Sequence, residues 1–315
     1  MRKFLVVVLI VTLAALGALA QSGSAPTLRI VTEDGNRLPA ELVYGNTKVK
    51  PVRLRPGTNV PFTIDDADFF VQQHYVDFLS RFPDQGGFAF WQNEILRCGR
   101  DAGCIDFRRQ NVSAAFFLSI EFQDTGYFVY RTHKAAFGDL PGKPVPVRRE
   151  SFVPETRSIA NGIVVGQGNW AERLHANKNA YAQSFVGRGD FQTAYAGLTP
   201  TAFVDKLNAN AGGALDAAER QALINQLTAN NTAAGRAAVL RAVADDQTLK
   251  DREFNKAFVL MQYFGYLKRN PDNPPDRNYN GFLFWLNKLN ANNGDYVRAE
   301  MVKAFILSIE YRERF

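Results

Sequence analysis

Apolar residues recur every three or four positions along most of the chain after residue 65, a spacing that is typical of amphipathic helices. In the first of these segments Phe70, Tyr75 and Phe78 share one face, and Asp65 or Asp66 can cap its N-terminus with a short carboxylate. The same pattern predicts further helices at 88–96, 111–123, 128–137, 170–186, 200–210, 214–229, 233–245, 252–268, 282–290 and 296–315. We therefore expect an all-α, mainly helical fold.

Residues 21–64 follow a different pattern from the rest of the chain. Two short β-type runs, 28–32 and 41–44, are separated by a turn signal. Residues 48–54 alternate valine with basic residues and proline, which suits an edge strand. Because this is too little chain for an independent β-domain, we expect a short β-like leader or a small hairpin packed on the helical region.

Helical periodicity lapses twice in the middle of the chain. Residues 142–168 contain Pro144, Pro146 and Pro154 together with several glycines, so they are predicted to form a long ordered surface loop. Residues 190–200 are predicted to be a turn region. Since scaffolds tend to carry function on loops, 142–168 is a candidate contact region.

Two stretches of the helical region repeat the same corner. Each has a tyrosine six residues before an arginine, then Arg-x-Pro-Asp, Gly-Phe-x-Phe-Trp and finally Ser-Ile-Glu with an aromatic residue. The matched residues are Tyr75 with Tyr263, Arg81 with Arg269, Asp84 with Asp272, Trp91 with Trp285 and Glu121 with Glu310. The spacings differ only by insertions at turns, where insertions are tolerated.

Every residue type in the corner has a structural role available to it. The aspartate can cap the next helix, the arginine can bind the carbonyls that end the previous one, and proline and glycine set the turn. The glutamates are the expected partners of the arginines, and the tryptophans are expected to anchor the core. The alternative is functional, because paired charges beside a tryptophan can bind a sugar or a carboxylate.

This pattern resembles a bacterial extracellular family called domain of unknown function 4214. The two copies cover about 65–126 and 252–315, and the middle region, 127–251, is a candidate degenerate third copy that lacks the corner and its tryptophan. The resemblance implies a helical fold in secreted or surface proteins, often attached to adhesive or repeat-rich partners. It implies no activity.

The N-terminus predicts export. Arg2 and Lys3 precede an apolar run at 4–18, and Ala18-Leu19-Ala20 supplies the small residues of a signal-peptidase site, so residues 1–20 are a predicted signal peptide cleaved after Ala20. The run is shorter than the roughly 20 residues that span a bilayer, although a retained anchor is the alternative. We expect a secreted, periplasmic or cell-surface protein without a stable membrane span.

Charge gives little support to a nucleic-acid partner. Removal of the two N-terminal basic residues lowers the net charge from +6 to +4 (6 − 2), and the remaining basic residues are scattered. An exported protein with this balance is expected to bind no nucleic acid.

Cys98 and Cys104 are the only cysteines of the chain. In an oxidising compartment so close a pair is expected to form a structural disulfide between successive helices. A redox-active pair is the alternative, but that chemistry favours a Cys-x-x-Cys spacing.

Candidate metal ligands occur at one place. Asp276, Asn278 and Asn280 alternate as in the first half of an EF-hand loop, with Gly281 sixth, but the twelfth position is Asn287 rather than a glutamate. An Asn/Asp-rich turn is the preferred interpretation, and neither a metal nor a cofactor is predicted. The sequence contains no His-Glu-x-x-His, Gly-x-Ser-x-Gly or phosphate-binding loop.

Three functional hypotheses follow. The first is an exported, non-enzymatic interaction module of the bacterial envelope or extracellular space that binds an unidentified protein or glycan. The second is a glycosidase-type enzyme acting on envelope polysaccharide, which would need two carboxylates about 5 to 10 Å apart in a cleft. The third is a purely structural subunit.

Overall fold

Helices make up almost all of the regular structure in the computed structural model, which describes residues 28–32, 39–44, 47–48, 53–55 and 57–315. The all-α prediction is confirmed. The predicted signal peptide, residues 1–20, lies outside the described residues. The elements in chain order are β1 Leu28–Thr32, β2 Pro39–Tyr44, β3 Thr47–Lys48, α1 Ala67–His74, π1 Tyr75–Leu79, α2 Gln85–Leu96, α3 Ala102–Leu118, α4 Ile120–Asp124, α5 Gly126–Phe137, α6 Arg149–Ala160, α7 Trp170–Val186, α8 Gly189–Ala194, α9 Pro200–Asn210, α10 Ala217–Ala229, α11 Ala233–Ala244, α12 Gln247–Gln262, π2 Tyr263–Leu267, α13 Asn280–Ala291, α14 Met301–Leu307 and α15 Ile309–Arg312.

The three strands form one antiparallel sheet in the order β1-β2-β3. Leu28 lies opposite Tyr44, and Tyr44 lies opposite Thr47. The β-type runs predicted near residues 30 and 42 are therefore strands. Of the predicted edge strand at 48–54, the end at Leu54 forms an isolated bridge with Pro61, and residues 49–52 lie outside the described residues.

Helix starts follow the capping chemistry of the sequence. Thr199 caps α9 through the amide of Ala202, with a proline at the first helical position. Asp216 and Glu219 form a full capping box at the start of α10. Asp66 stands at the N-cap of α1 as predicted, but its carboxylate accepts from the amide of Thr63 instead of a helix amide.

The prediction of a loop throughout 142–168 is wrong, because α6 lies within it. Phe152, Thr156 and Ile159 are buried on one face of this helix, at the four- and three-residue spacing of an amphipathic helix. Pro154 lies inside the helix and removes one backbone hydrogen bond, a cost that burial of this face offsets. The predicted turn at 190–200 likewise overlaps the short helix α8, which buries Phe191.

Helix α5 lies at the centre of the core. All of its residues except the last are buried, and it packs against α6, α9, α11 and α12. Its Arg131 is fully enclosed, donates to the carbonyl of Ala244 at 2.7 Å and lies over the ring of Tyr127. Middle region and repeat units therefore share one continuous core.

The two repeat units meet where π1 lies against π2. Phe78 packs edge-on against Tyr266 with ring centroids 5.0 Å apart, and a Cβ at Gly265 would lie only 2.6 Å from the Phe78 ring. Buried Asp77 receives two hydrogen bonds of 2.8 Å from Arg314. Burial alone would raise the pKa of Asp77, but the adjacent cations hold that pKa well below its ordinary value.

Candidate functional site

Both copies of the corner have the same unusual backbone. A π-helical turn begins at Tyr75 and at Tyr263, and it ends at Ser80 and Lys268, whose φ angles of 53° and 55° lie in the left-handed region. Single-turn π segments within helices often occur at functional sites, and they redirect the chain that follows. Here the turn brings the next arginine back beneath the tyrosine ring.

The arginines and glutamates pair as the repeat predicts. Arg81 donates to the two oxygens of Glu121 at 2.8 Å each, and Arg269 donates to those of Glu310 at 2.5 and 3.1 Å. The same guanidinium groups lie over Tyr75 and Tyr263, at 4.9 and 5.3 Å from the ring centroids. Each arginine therefore joins the π turn to the end of its own unit.

A serine brings each glutamate into position. The predicted helices at 111–123 and 296–315 are each interrupted, at Ser119 and Ser308, where the backbone becomes extended. Each serine hydroxyl accepts the amide three residues on and starts a short new helix, in whose first turn the glutamate lies. The Ser-Ile-Glu motif thus ends one helix and begins a short second helix, whose glutamate carboxylate lies against the arginine.

The motif glycine is required by close approach of the tyrosine. A Cβ at Gly87 would lie 2.2 Å from the hydroxyl oxygen of Tyr75, and one at Gly281 would lie 2.8 Å from that of Tyr263. Real Cβ atoms do not approach so closely, so the tyrosine can reach the next helix only where that helix lacks a side chain.

The repeat matches Asp84 with Asp272, but the two aspartates have different contacts and different structural roles. Asp84 caps α2 by accepting from the amide of Gly87 at 2.9 Å and lies 3.5 Å from Arg81. Asp272 instead binds Lys143 and Arg148 from the segment before α6. The aspartate that pairs with Arg269 in the second copy, in addition to Glu310, is Asp276, at 2.8 Å. The second corner is longer, so the equivalent aspartate lies further along the chain.

Two of the three candidate metal ligands, Asp276 and Asn278, are engaged within the protein. Asp276 accepts from Arg269, and the side-chain oxygen of Asn278 accepts from the amide of Asn280 at 2.8 Å, as in an Asx turn. Among residues 57–315 and the other described segments, no group of three or more His, Cys, Asp or Glu side chains is arranged to hold a metal ion.

The tryptophans are half-buried in both copies. Trp91 packs edge-on with Phe90, and Trp285 packs edge-on with Phe284, at the same interplanar angle of 78°. In each pair the phenylalanine is more exposed, at 57% and 58%. Each indole packs against the core without being enclosed by it, so the prediction of core anchors holds only in part.

Further apolar residues are exposed at matched positions. Leu118 and Leu307 are 45% and 46% exposed, while Ile120 and Ile309 are 56% and 76% exposed. We call these residues, together with Phe90 and Phe284, the corner surface. Its sequence signal was present in the repeated Phe-x-Phe-Trp and Ser-Ile-Glu motifs, but periodicity alone does not separate their buried members from their exposed ones.

A cavity of about 340 Å³ opens at the first corner. Its polar lining includes Tyr75, Arg81, Asp84, Ser119 and Glu121, and its apolar lining includes Leu79, Trp91, Phe116, Ile120 and Val165. The cavity lining thus combines aromatic rings, aliphatic groups and the ion pair of Arg81 with Glu121.

The cysteines form the expected disulfide. Cys98 and Cys104 are bonded across the short turn between α2 and α3, with Cα atoms 5.5 Å apart. Because Trp91 lies on α2 and Phe116 on α3, the bond ties together two helices that carry aromatic residues of the cavity lining.

Comparison with known proteins returns no match to a family model, a curated protein or a solved structure. None of the helices in the described part of the chain is both long and apolar enough to cross a membrane.

Proposed function

We propose that this protein is an exported, non-enzymatic interaction module of the bacterial envelope or extracellular space, which binds a protein or glycan partner through its repeated corner surface. The observation that carries the proposal is the matched exposure of Phe, Leu and Ile at the same three positions of both copies. Because single exposed apolar residues are common on any protein, we infer binding from their recurrence at equivalent positions of both copies and not from any one of them.

Packing does not account for this recurrence. Buried members of the repeat, such as Tyr75 and Tyr263, are retained in both copies because they fill the core. Ile309 is 76% exposed and Phe284 is 58% exposed, so most of their surface contributes nothing to folding. A partner that covers these side chains would bury their apolar surface, which favours binding.

The carboxylates of the first cavity support binding rather than glycoside hydrolysis. A glycosidase acid must stay protonated through a raised pKa. The pKa of Asp84 is lowered, chiefly by the hydrogen bond from the Gly87 amide and further by the charge of Arg81. Both oxygens of Glu121 accept from Arg81, so this carboxylate is occupied by an ion pair.

The test uses Ile120→Ser and Ile309→Ser, alone and combined, with Leu96→Ser as the matched control. Leu96 is 54% exposed, yet its counterpart in the second copy is the polar Asn290. The immobilised mature proteins are challenged with the envelope-protein fraction of the producing cells and with purified envelope glycans.

The combined variant is expected to lose retention of the partner about tenfold or more, while Leu96→Ser retains it. Equal retention by all variants, or retention by none including the unaltered protein, would contradict a binding role for the corner surface. Unchanged circular dichroism melting of each variant serves as the folding control.

A further inference from the structure

The two corners differ in how completely their charges are paired. In the second corner Arg269 contacts Asp276 at 2.8 Å in addition to Glu310. In the first, the carboxylate that Arg81 contacts at short distance is that of Glu121, at 2.8 Å, and its closest approach to Asp84 is 3.5 Å. Asp84 uses one oxygen to cap α2, so its other oxygen keeps acceptor capacity beside the cavity.

The first cavity carries an excess negative charge. Its charged lining residues are Arg81, Asp84 and Glu121, which sum to −1 (+1 − 1 − 1). The remaining wall is largely aromatic and aliphatic, with Trp91, Phe116 and Ile120. A group that satisfies both features has a cationic end and an apolar stem, as in a lysine or arginine side chain.

The second copy shows how such a group meets the tryptophan. There Lys288, on the next turn of α13, places its ammonium group 5.3 Å from the centre of the Trp285 ring. The equivalent position in the first copy is Glu94, whose carboxylate pairs with Arg97 and Arg108. The first copy therefore has an ion-paired acidic residue at the position where the second copy supplies a cation to its tryptophan.

Size also favours a single side chain. A volume of about 340 Å³ lies near the lower end of the roughly 300–1,000 Å³ range of ligand pockets. A single long side chain fits within this volume.

We propose that the first corner cavity binds a lysine or arginine side chain of a partner protein, presented by a segment with apolar residues on either side. The ammonium or guanidinium group contacts Oδ2 of Asp84, whose only other charged partner among the described residues is Arg81, at 3.5 Å. The stem packs against Trp91 and Ile120, and the flanking residues cover the corner surface. This inference rests on the proposed binding function and selects a protein partner over a glycan.

The test uses acetylated, amidated tetrapeptides Gly-Leu-X-Leu in which X is lysine, methionine or glutamate, with methyl glucoside as a saccharide probe. The chain has three tryptophans, so its indole N–H signals in a ¹⁵N NMR spectrum can be assigned with Trp91→Phe. The lysine peptide is expected to shift the Trp91 signal and to bind about tenfold more tightly than the methionine peptide.

Asp84→Asn should abolish this preference while keeping the helix cap, and Asp276→Asn is the matched control in the second copy that should leave it intact. Equal binding of lysine and methionine peptides, equal loss in both variants, or no shift with any peptide would overturn the inference. A Trp91 shift with the saccharide alone would also overturn it, yet would leave the proposed binding function standing. The proposed binding function is tested separately, by the retention assay with the Ile120→Ser and Ile309→Ser variants.

Discussion

Replacement of His74 by glutamine should remove a defined part of the acid sensitivity of this protein. His74 is fully buried between the two repeat units, and its Nδ1–H donates to the carbonyl of Phe70 at 2.7 Å. Its Nε2 accepts from the hydroxyl of Ser113 at 2.8 Å, which fixes the neutral tautomer. Burial lowers the pKa of His74 from 6.5 to about 4.

The sign follows from proton uptake. Between these two pKa values the unfolded chain binds a proton at His74 and the folded chain does not, so stability is complete above pH 6.5 and is lost as pH falls toward 4. At pH 5 the expected loss from this one group is about 2 kcal/mol, and at full protonation about 3 kcal/mol.

The chain provides its own template for the substitution. Gln262 occupies the position of His74 in the second copy, immediately before the tyrosine of the π turn, and its side-chain amide donates to the carbonyl of Phe258 at 3.1 Å. Glutamine at position 74 can therefore keep the hydrogen bond to Phe70 and cannot titrate.

Urea unfolding at pH 7.5 and pH 5.0, at constant ionic strength, measures the effect. Between the two pH values the unaltered protein should lose about 2 kcal/mol more of its unfolding free energy than His74→Gln, whatever the stabilities at pH 7.5. Equal losses would refute the reasoning, because they would mean that protonation of His74 costs no more in the fold than in the unfolded chain.

Three further predictions concern the corner and the disulfide. Gly87→Ala should lower the free energy of unfolding by about 1–3 kcal/mol, since the added Cβ meets the tyrosine hydroxyl. Gly86→Ala, whose Cβ would have ordinary contacts, is the control, and equal effects in denaturant titrations would argue against the clash. Arg81→Met should cost about 3 kcal/mol by leaving buried Glu121 unpaired, and a double-mutant cycle with Glu121→Met that shows no coupling would count against the pair. Reduction of Cys98–Cys104, which closes a short loop, should cost about 2 kcal/mol, and an unchanged urea midpoint after reduction would disprove it.

Much of the helical framework was predictable because its determinants are local. The range 170–186 was predicted with the bounds of α7, and Thr199-Pro200 gave the start of α9. Helix α6 was missed because proline and glycine in its surroundings outweighed the spacing of Phe152, Thr156 and Ile159, which was a readable signal.

The paired charges of the corner were partly predictable. The repeat matched Arg81 with Glu121 although forty residues separate them, because the second copy showed the same pair of residue types at matching places. The repeat matched Asp84 with Asp272 wrongly. Asp272 follows the proline as Asp84 does, but in the longer second turn Asp276 is the aspartate that pairs with the arginine of the corner. The π turns were not predicted, since hydrogen bonds between backbone groups five residues apart depend on the tertiary position of the tyrosine against the next helix.

The two copies of the corner serve as an internal comparison that separates folding from binding. Where both copies keep a buried group, as with the tyrosine over the arginine, the core explains it. Where both keep an exposed apolar group, as at Ile120 and Ile309, the core does not explain it, and this is the basis on which we propose contact with a partner. Where they differ, as between Glu94 and Lys288, the charge available to a ligand differs, so the two corners need not bind the same group. The motif that first identifies the repeat is therefore a folding element on its inner side and, in the function that we propose, a binding surface on its outer side.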